Sequence, residues 1–332
     1  MSLLFKASAA AFLFPLLMHF SYAADVQPIA QDLNGQEQSV QLIRNATVKV
    51  KYNGVTFLVD PMLAPKGAYP GFTGTLHSEI RNPTIPLTLR IQEILNGVDA
   101  VLLTHTHEDH WDKFAQQYIP KEMPIFVQNK ADEDLLKSQE FKKVRILENG
   151  TNFKGVSLYR TFGQHGSDVI WKYDYLRKAL GSSIGFVLKA PGQEPIYIAG
   201  DTVWHPEVEA EIQKHKPGTI VLNTGGASLE TDVNRISYPW VKADPEIIMN
   251  KEDVEKAYKV APQAKIITVT YGCYQPYDCD KKGHEEVRGR KRPRLPRAHS
   301  AGRRGDCYRF RKELNLYEDG RGSSVFSSGF GK

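Results

Sequence analysis

The amino-acid sequence predicts an α/β fold, and three observations carry that expectation. Short apolar runs of strand length alternate with amphipathic stretches from Gln41 to about Val269. The early runs are joined by the hairpin dipeptide Asn53-Gly54, whereas later ones are separated by helix-length segments. Both antiparallel and crossover connections are therefore expected, as in an α/β sandwich. The third observation is a His- and Asp-rich segment that begins where the apolar run Val98–Leu103 ends. In α/β sheets, ligand sites gather beyond the carboxyl ends of strands, where a rigid backbone lets side chains converge.

The first 23 residues stand apart. Lys6 is their only charge, an apolar run extends from Ala7 to Phe20, and the small residues Ser21 and Ala23 follow it. This pattern is that of a secretory signal peptide with cleavage after Ala23, which places the mature chain in the periplasm or outside the cell. The run is short for a membrane span and Pro15 interrupts it. No cysteine follows to take a lipid. No membrane association is expected once the segment is removed.

Strands are expected at 46–52, 55–59, 100–104, 125–128, 144–147, 156–161, 183–189, 196–199, 219–223 and 265–269. Helices are expected at 91–95, 113–117, 131–138, 207–215 and 251–260. The last helix has Asn250 as its N-cap, with Glu252 and Asp253 in its first turn. The Pro-bearing stretch 235–245 reads as a loop. Composition agrees with a globular chain: 41% hydrophobic and 24% charged residues in 332.

Chemistry concentrates in Thr104-His105-Thr106-His107-Glu108-Asp109-His110-Trp111-Asp112. Three imidazoles and a carboxylate within six residues are costly to bury unpaired, and a divalent cation relieves that cost. The spacing is not the helical His-Glu-x-x-His of metalloproteases. Thr224-Gly225-Gly226-Ala227 lacks the Lys-Ser/Thr that a phosphate loop requires, so a tight turn is expected there. His77, His205 and His215 are expected on the surface or in loops.

The His-x-His-x-Asp-His segment resembles the signature of the metallo-β-lactamase superfamily, residue for residue. Leu58-Val59-Asp60-Pro61, Gly163-Gln164-His165-Gly166 and Ala199-Gly200-Asp201-Thr202 resemble further landmarks of that family, in its order. Within it, Val59-Asp60-Pro61, Gly200-Asp201-Thr202 and Leu222-Asn223-Thr224-Gly225 are most similar to the branch resembling ascorbate-6-phosphate lactonase. The resemblance implies a four-layer αββα sandwich over residues 24–269 with metals at one edge of the paired sheets. It implies that His105, His107 and His165 hold one ion, Asp109 and His110 a second, with Asp201 bridging both and Asp60 orienting the ligands from behind. It also implies a catalytic pairing of Asp109 and His110 with a hydroxide held between the two ions, acting on an ester, lactone or phosphoester. Zinc suits mixed nitrogen and oxygen ligands without thiolate, and manganese or iron remain compatible.

The end of the chain departs from this pattern. The family ends its last strand with a further ligand histidine, whereas here Thr270-Tyr271-Gly272-Cys273 follows Val269. Residues 270–332 hold all three cysteines and 15 Lys+Arg against 8 Asp+Glu, a net of +7, while residues 1–269 hold 28 against 30, a net of −2. A reading-frame change after Val269 is the expectation for this basic tail, ahead of a genuine extension for nucleic acid or an anionic surface, since back-translation one base later permits a family-like continuation with its histidine. Two other functional classes stay in view. One is an inactive or non-catalytic metal-binding remnant, favoured by the missing histidine. The other is a nuclease or phosphodiesterase, disfavoured by an acidic body, because phosphate backbones require clustered Lys/Arg. The partner expected is a small-molecule substrate and not nucleic acid.

Overall fold

Backbone pairing and period-two burial build two sheets in the computed structural model, which describes residues 31–270 apart from positions 34, 35, 232–237 and 242. The expected signal segment 1–23 and the basic tail beyond Thr270 lie outside the described residues. So does part of the 235–245 loop.

The chain opens with β1 (Gln31–Leu33), β2 (Gln36–Arg44), β3 (Thr47–Tyr52) and β4 (Val55–Val59), each antiparallel to the next. Asn53 and Gly54 both take positive φ, 51° and 75°. A tight two-residue turn between twisted strands needs that backbone, and glycine adopts it without steric cost. After a long connection come α1 (Ile91–Leu95), β5 (Ala100–Leu102), α2 (Lys113–Tyr118), β6 (Pro124–Val127), α3 (Lys130–Ser138) and β7 (Lys143–Ile146). Strands β4 to β7 run parallel and complete a seven-stranded sheet in sequence order.

The second half contributes β8 (Thr151–Phe153), β9 (Val156–Thr161), α4 (Asp168–Trp171), α5 (Asp174–Leu180), β10 (Gly185–Lys189), β11 (Ile196–Ile198), α6 (Pro206–His215), β12 (Thr219–Asn223), α7 (Lys251–Val260) and β13 (Lys265–Val269). They form a six-stranded sheet ordered β13-β12-β11-β10-β9-β8, antiparallel from β8 to β11 and parallel from β11 to β13.

Alternate residues sort into layers. Val48, Val50, Phe57, Leu102 and Phe126 face Leu158, Phe186, Leu188, Ile198 and Val221 in the core between the sheets. The intervening residues Leu58, Val101, Leu103, Ile125 and Val127 turn outward to Ile94, Ala115 and Leu136 of α1, α2 and α3. On the other sheet Val187, Tyr197, Ile220 and Leu222 meet Val208 and Ile212 of α6 and Ala257 of α7. This is the four-layer αββα sandwich, generated by side chains that alternate across each strand. Each fully buried side chain of this size contributes roughly 1.5–3 kcal/mol. No helix among the described residues is long and apolar enough to cross a membrane.

Several elements differ from expectation for identifiable reasons. The strand expected at 100–104 stops at Leu102, because the Thr104 amide donates to the Asp60 carboxylate (2.8 Å) and not to a neighbouring strand. Strand β2 begins with the polar Gln36–Ser39 and β8 is only three residues long, and pairing with neighbouring strands makes them strands. Helices α4 and α5 are too short for periodicity to reveal. Ser167 starts the first by accepting from the Ile170 amide (3.3 Å), and Leu176 buries the second.

Asn250 caps α7 as expected. Its side chain accepts from the amides of Glu252 (2.9 Å) and Asp253 (3.2 Å), and Asp253 accepts in return from the Asn250 amide (3.0 Å). Replacing Asn250 by Ala should lower the unfolding free energy by about 1 kcal/mol. Urea titration would show this as a lower midpoint at unchanged slope; an unmoved midpoint would mean that α7 is held by packing alone.

Candidate metal centre

Strand ends from both sheets deliver the candidate residues to one edge. Strand β4 ends at Asp60, β5 runs into the loop holding His105, His107, Asp109 and His110, β9 exits towards His165, and β11 exits towards Asp201. Gly200 lets that last turn come close: its φ is +68°, and a Cβ there would lie 2.5 Å from the Ile184 carbonyl oxygen and 3.0 Å from the Thr104 side chain. All seven residues are buried except His107, which is partly so.

The structure brings five of the seven into two ligand clusters and sets the other two, Asp109 and Asp60, against His110. One ligand atom each from His105, His107 and His165 lie within 4.8 Å of one another, and the same holds for His105, His110 and Asp201. The Nε2 of His110 stands 3.2 Å from Asp201 Oδ2 and 3.5 Å from Asp109 Oδ2, while His165 Nε2 lies 3.7 Å from that same Asp201 oxygen. Asp60 lies behind them, its Oδ2 at 2.9 Å from His110 Nδ1.

Neighbouring groups decide which ring nitrogens face the centre. The Ile247 carbonyl lies 3.2 Å from His165 Nδ1 and can only accept, so that nitrogen carries the proton and Nε2 presents a lone pair. The Thr104 hydroxyl gives its proton to Asp60 Oδ2 (2.7 Å), so it accepts from His105 Nδ1 (3.0 Å), again leaving Nε2 inward. The Nε2 of His105 then faces His107 Nδ1 at 3.0 Å. Asp201 is steadied by the Asn223 amide, which donates to its Oδ1 at 2.6 Å and leaves Oδ2 for the imidazoles.

The electrostatics split the histidines. Burial, reinforced by His110, His107 and His165, holds His105 well below its ordinary pKa. Burial and His165 push His107 down to about 4. Both rings therefore offer lone pairs at neutral pH. Burial disfavours charge on His110 too, but Asp201, Asp109 and Asp60 outweigh it and raise that pKa well above the usual range. Burial alone would raise Asp201; His110 outweighs it and holds the carboxyl below the usual carboxylate range.

These residues fit divalent cations. Both carboxylate oxygens of Asp109 are buried without a hydrogen-bond donor, though one lies beside His110. A buried carboxylate in that condition is costly unless a cation faces it. The inward ring nitrogens and the Asp201 oxygen complete a nitrogen–oxygen donor set without sulfur.

Some contributors were not assigned a role in the site from sequence, although Asn223 lies in a segment quoted for the family resemblance. Asn45 sits at positive φ in the β2–β3 turn and donates from its side chain to the Asp109 carbonyl (3.1 Å). The Ile247 carbonyl and the Asn223 amide act through the fold alone, although Asn223 ends a recognisable strand. Of the three histidines expected outside the site, His77 is half-buried in a loop beside Glu79 and His205 starts α6. His215 corrects its expectation: it is buried on α6, beside Glu211 (2.9 Å) and the Tyr159 ring.

An Asp109→Ala chain should melt no earlier than the native chain when both are held in chelator, since the change removes a buried carboxylate without donors. It should also lose most of the rise in melting temperature that added zinc gives the native chain. A drop of several degrees in chelator would show that Asp109 serves the fold and not an ion.

Comparison with known proteins places this geometry. Residues 56–249 match the family described as the beta-lactamase superfamily domain. Over 231 residues the chain is 42% identical to the UPF0173 protein YddR of Bacillus subtilis, covering 70% of this chain and 84% of that protein. A UPF0173 metal-dependent hydrolase of Caldivirga maquilingensis is 29% identical over 189 residues, 55% of this chain and 67% of the relative. Two solved structures are each 39% identical with a TM-score of 0.65. One, a possible metal-dependent hydrolase from Veillonella parvula, is matched over 70% of this chain and 84% of its own. The other, an isothiocyanate hydrolase from Delia radicum gut bacteria, is matched over 71% and 87%. With its strand ends, its buried imidazoles and these relatives in agreement, the chain belongs to the metallo-β-lactamase superfamily, among its UPF0173 metal-dependent hydrolases.

Proposed function

We propose that this chain, exported by its N-terminal segment, uses two divalent cations to hydrolyse a small substrate at an electrophilic carbon or phosphorus. The observation that carries the reading is the convergence of ligand atoms from His105, His107 and His165 and from His105, His110 and Asp201 at one buried edge, with the Asp109 carboxylate beside His110. His105, His107 and His165 would hold one ion; Asp109 and His110 would hold the other; Asp201 faces both sets. Zinc suits these ligands best. The chemistry such ions supply when bound is Lewis acidity towards the substrate and a lowered pKa for water.

The protein's own groups prepare that chemistry. Asp60 accepts from the Thr104 amide, the Thr104 hydroxyl and His110, so the His110 ring cannot turn away. Ile247 and Thr104 hold His165 and His105 in the tautomers that leave Nε2 bare. Asn223 restrains Asp201, so its outer oxygen keeps one orientation. The apolar core packs directly behind the strand ends that carry the site.

Substrate class is drawn from two likenesses. The segments Val59-Asp60-Pro61 and Gly200-Asp201-Thr202 resemble the lactonase-like branch and support an ester or lactone carbonyl. The isothiocyanate hydrolase, at 39% identity, supports an isothiocyanate carbon. Turnover of lactone, isothiocyanate, phosphoester and β-lactam panels, before and after chelator treatment and zinc reloading, separates these. Metal-dependent turnover of at least one member is expected; turnover that survives complete metal removal would overturn the reading.

The two ions should differ in tenacity. One set has three imidazoles, whereas the other has a single imidazole with two carboxylates, and Thr270 follows β13 where a histidine was expected. Stepwise chelator titration with metal analysis should remove one ion first and leave the other bound. Simultaneous loss of both would show that the two sets are of equal strength.

A further inference from the structure

A second cluster of polar side chains lies on the same sheet edge and is unused by the chemistry above. A cleft of about 370 Å³ is lined by Gln128, Asn129, Asn149, Arg160 and Ser183 together with the backbone at Gly163. Its walls are the exits of β6 and β9 and the entry of β10, so it lies beside the metal centre. Gly163 is two residues before His165, and the Ile184 amide donates to the carbonyl of Thr104, next to His105 (3.3 Å).

The hydrogen-bond inventory of this cleft leans towards donors, although Gln128 spends its side-chain NH2 on the Ser182 carbonyl (2.7 Å) and keeps an acceptor oxygen. The acceptor oxygens of its asparagines are already engaged, Asn129 Oδ1 by the Asp132 amide (2.9 Å) and Asn149 Oδ1 by the Arg160 amide (3.0 Å). Their side-chain NH2 groups remain as donors. Arg160 gives one guanidinium N–H to the Gln128 carbonyl (3.2 Å), and no carboxylate among the described residues pairs with it. No carboxylate lines the cleft. Ser183 is 3% exposed, and its hydroxyl oxygen has no hydrogen-bond partner although it lines the cleft. The nine-residue helix α3 begins at Asn129, with Asp132 and Glu133 in its first turn, so the helix end itself adds no net positive charge to the cleft.

We propose that this cleft is a substrate subsite for an oxyanionic group, such as a carboxylate, sulfonate or phosphate, borne by the molecule hydrolysed at the metal centre. A donor-rich, carboxylate-free wall with one guanidinium recognises that chemistry, and a planar fork matches two oxygens at once. The buried Ser183 hydroxyl gains the partner it lacks when an oxygen enters. The volume is within the range of small-molecule sites. The substrate is thereby narrowed to one with an anionic end and a hydrolysable centre, and the inference rests on the hydrolase reading for that second half.

Calorimetric titration of the metal-stripped full chain with inorganic phosphate tests the cleft independently of turnover. Saturable binding is expected, weakened at least five-fold in Arg160→Gln. Arg145→Gln, which removes an equal charge from β7, should leave it unchanged. Ser183→Ala should weaken binding while the phosphate-free melting temperature does not fall, because the native hydroxyl has no partner to lose. Absence of saturable binding, or equal affinity in Arg160→Gln and native chains, would overturn the proposal. On zinc-loaded enzyme, paired lactones or isothiocyanates with and without a carboxylate give the kinetic counterpart. Arg160→Gln should raise KM for the carboxylate-bearing member alone, with kcat held. Equal KM effects on both members would also overturn it. Phosphate binding without metal-dependent turnover of any substrate would instead sink the hydrolase reading and leave the anion site standing.

Discussion

The carboxylate of Asp60 ties the end of β4 to the end of β5 and to the histidine loop beyond it. It accepts from the Thr104 amide at 2.8 Å, from the Thr104 hydroxyl at 2.7 Å and from His110 Nδ1 at 2.9 Å, all without solvent. Burial pushes this carboxyl above its ordinary pKa, and the three donors favour its ionised form against that tendency. Asp60 itself sits at a positive φ of 44°, a conformation that costs a non-glycine residue energy and persists only where its surroundings enforce it. The amide that would have continued β5 is spent here, so the strand ends where the loop must begin. Through the Thr104 hydroxyl the same carboxylate also determines which His105 nitrogen looks inward.

Beyond that anchor, the centre is a balance of buried charges in a medium that penalises each alone. Asp60, Asp109 and Asp201 surround His110, and the three together overcome the burial that would otherwise keep its ring neutral. On the other side His105, His107 and His165 face one another with little negative charge between them, and the first two stay unprotonated. One half of the site thus attracts cations through charge and the other through lone pairs. A mixed donor set of that kind is what a borderline-soft divalent ion selects.

Two long connections brace this edge from outside the sheets. The loop between β4 and α1 meets the segment between β12 and α7 through the Leu76 amide on the Ser228 carbonyl (3.0 Å) and the Glu230 amide on the Gly74 carbonyl (2.8 Å). The second of these segments supplies the Ile247 carbonyl to His165. Arg44, fully buried, donates to the carbonyls of Met62 and Ala64 and fixes the first loop as it leaves Asp60. A buried cation satisfied by backbone carbonyls resists displacement, because moving it would strand its charge. The ligands therefore stand on a floor of strands and are flanked by braced loops.

What the amino-acid sequence determined by itself was local. Period-two apolar runs marked most strands, Asn53-Gly54 marked the hairpin, Asn250 with Asp253 marked the start of α7, and the cluster from His105 to His110 announced a site in six residues. Each of these signals lies within one element, where side-chain period, turn geometry or capping acts over a few residues. Tertiary structure decided what depends on pairing and convergence. The polar first half of β2 becomes strand because β1 pairs with it, and His215 is buried because α6 turns it towards Tyr159. Isolated His165 joins His105 because antiparallel β9 and parallel β5 end at one edge of two packed sheets. Asn45, Asn223 and the Ile247 carbonyl lie 64, 22 and 82 positions from Asp109, Asp201 and His165, the residues they hold, and no spacing rule encodes those pairings, since a hydrogen bond across layers leaves no period in the chain. The donors of the Arg160 cleft come in the same way from β9 and from the connections after β6, after β7 and before β10, and only their packing makes them one surface.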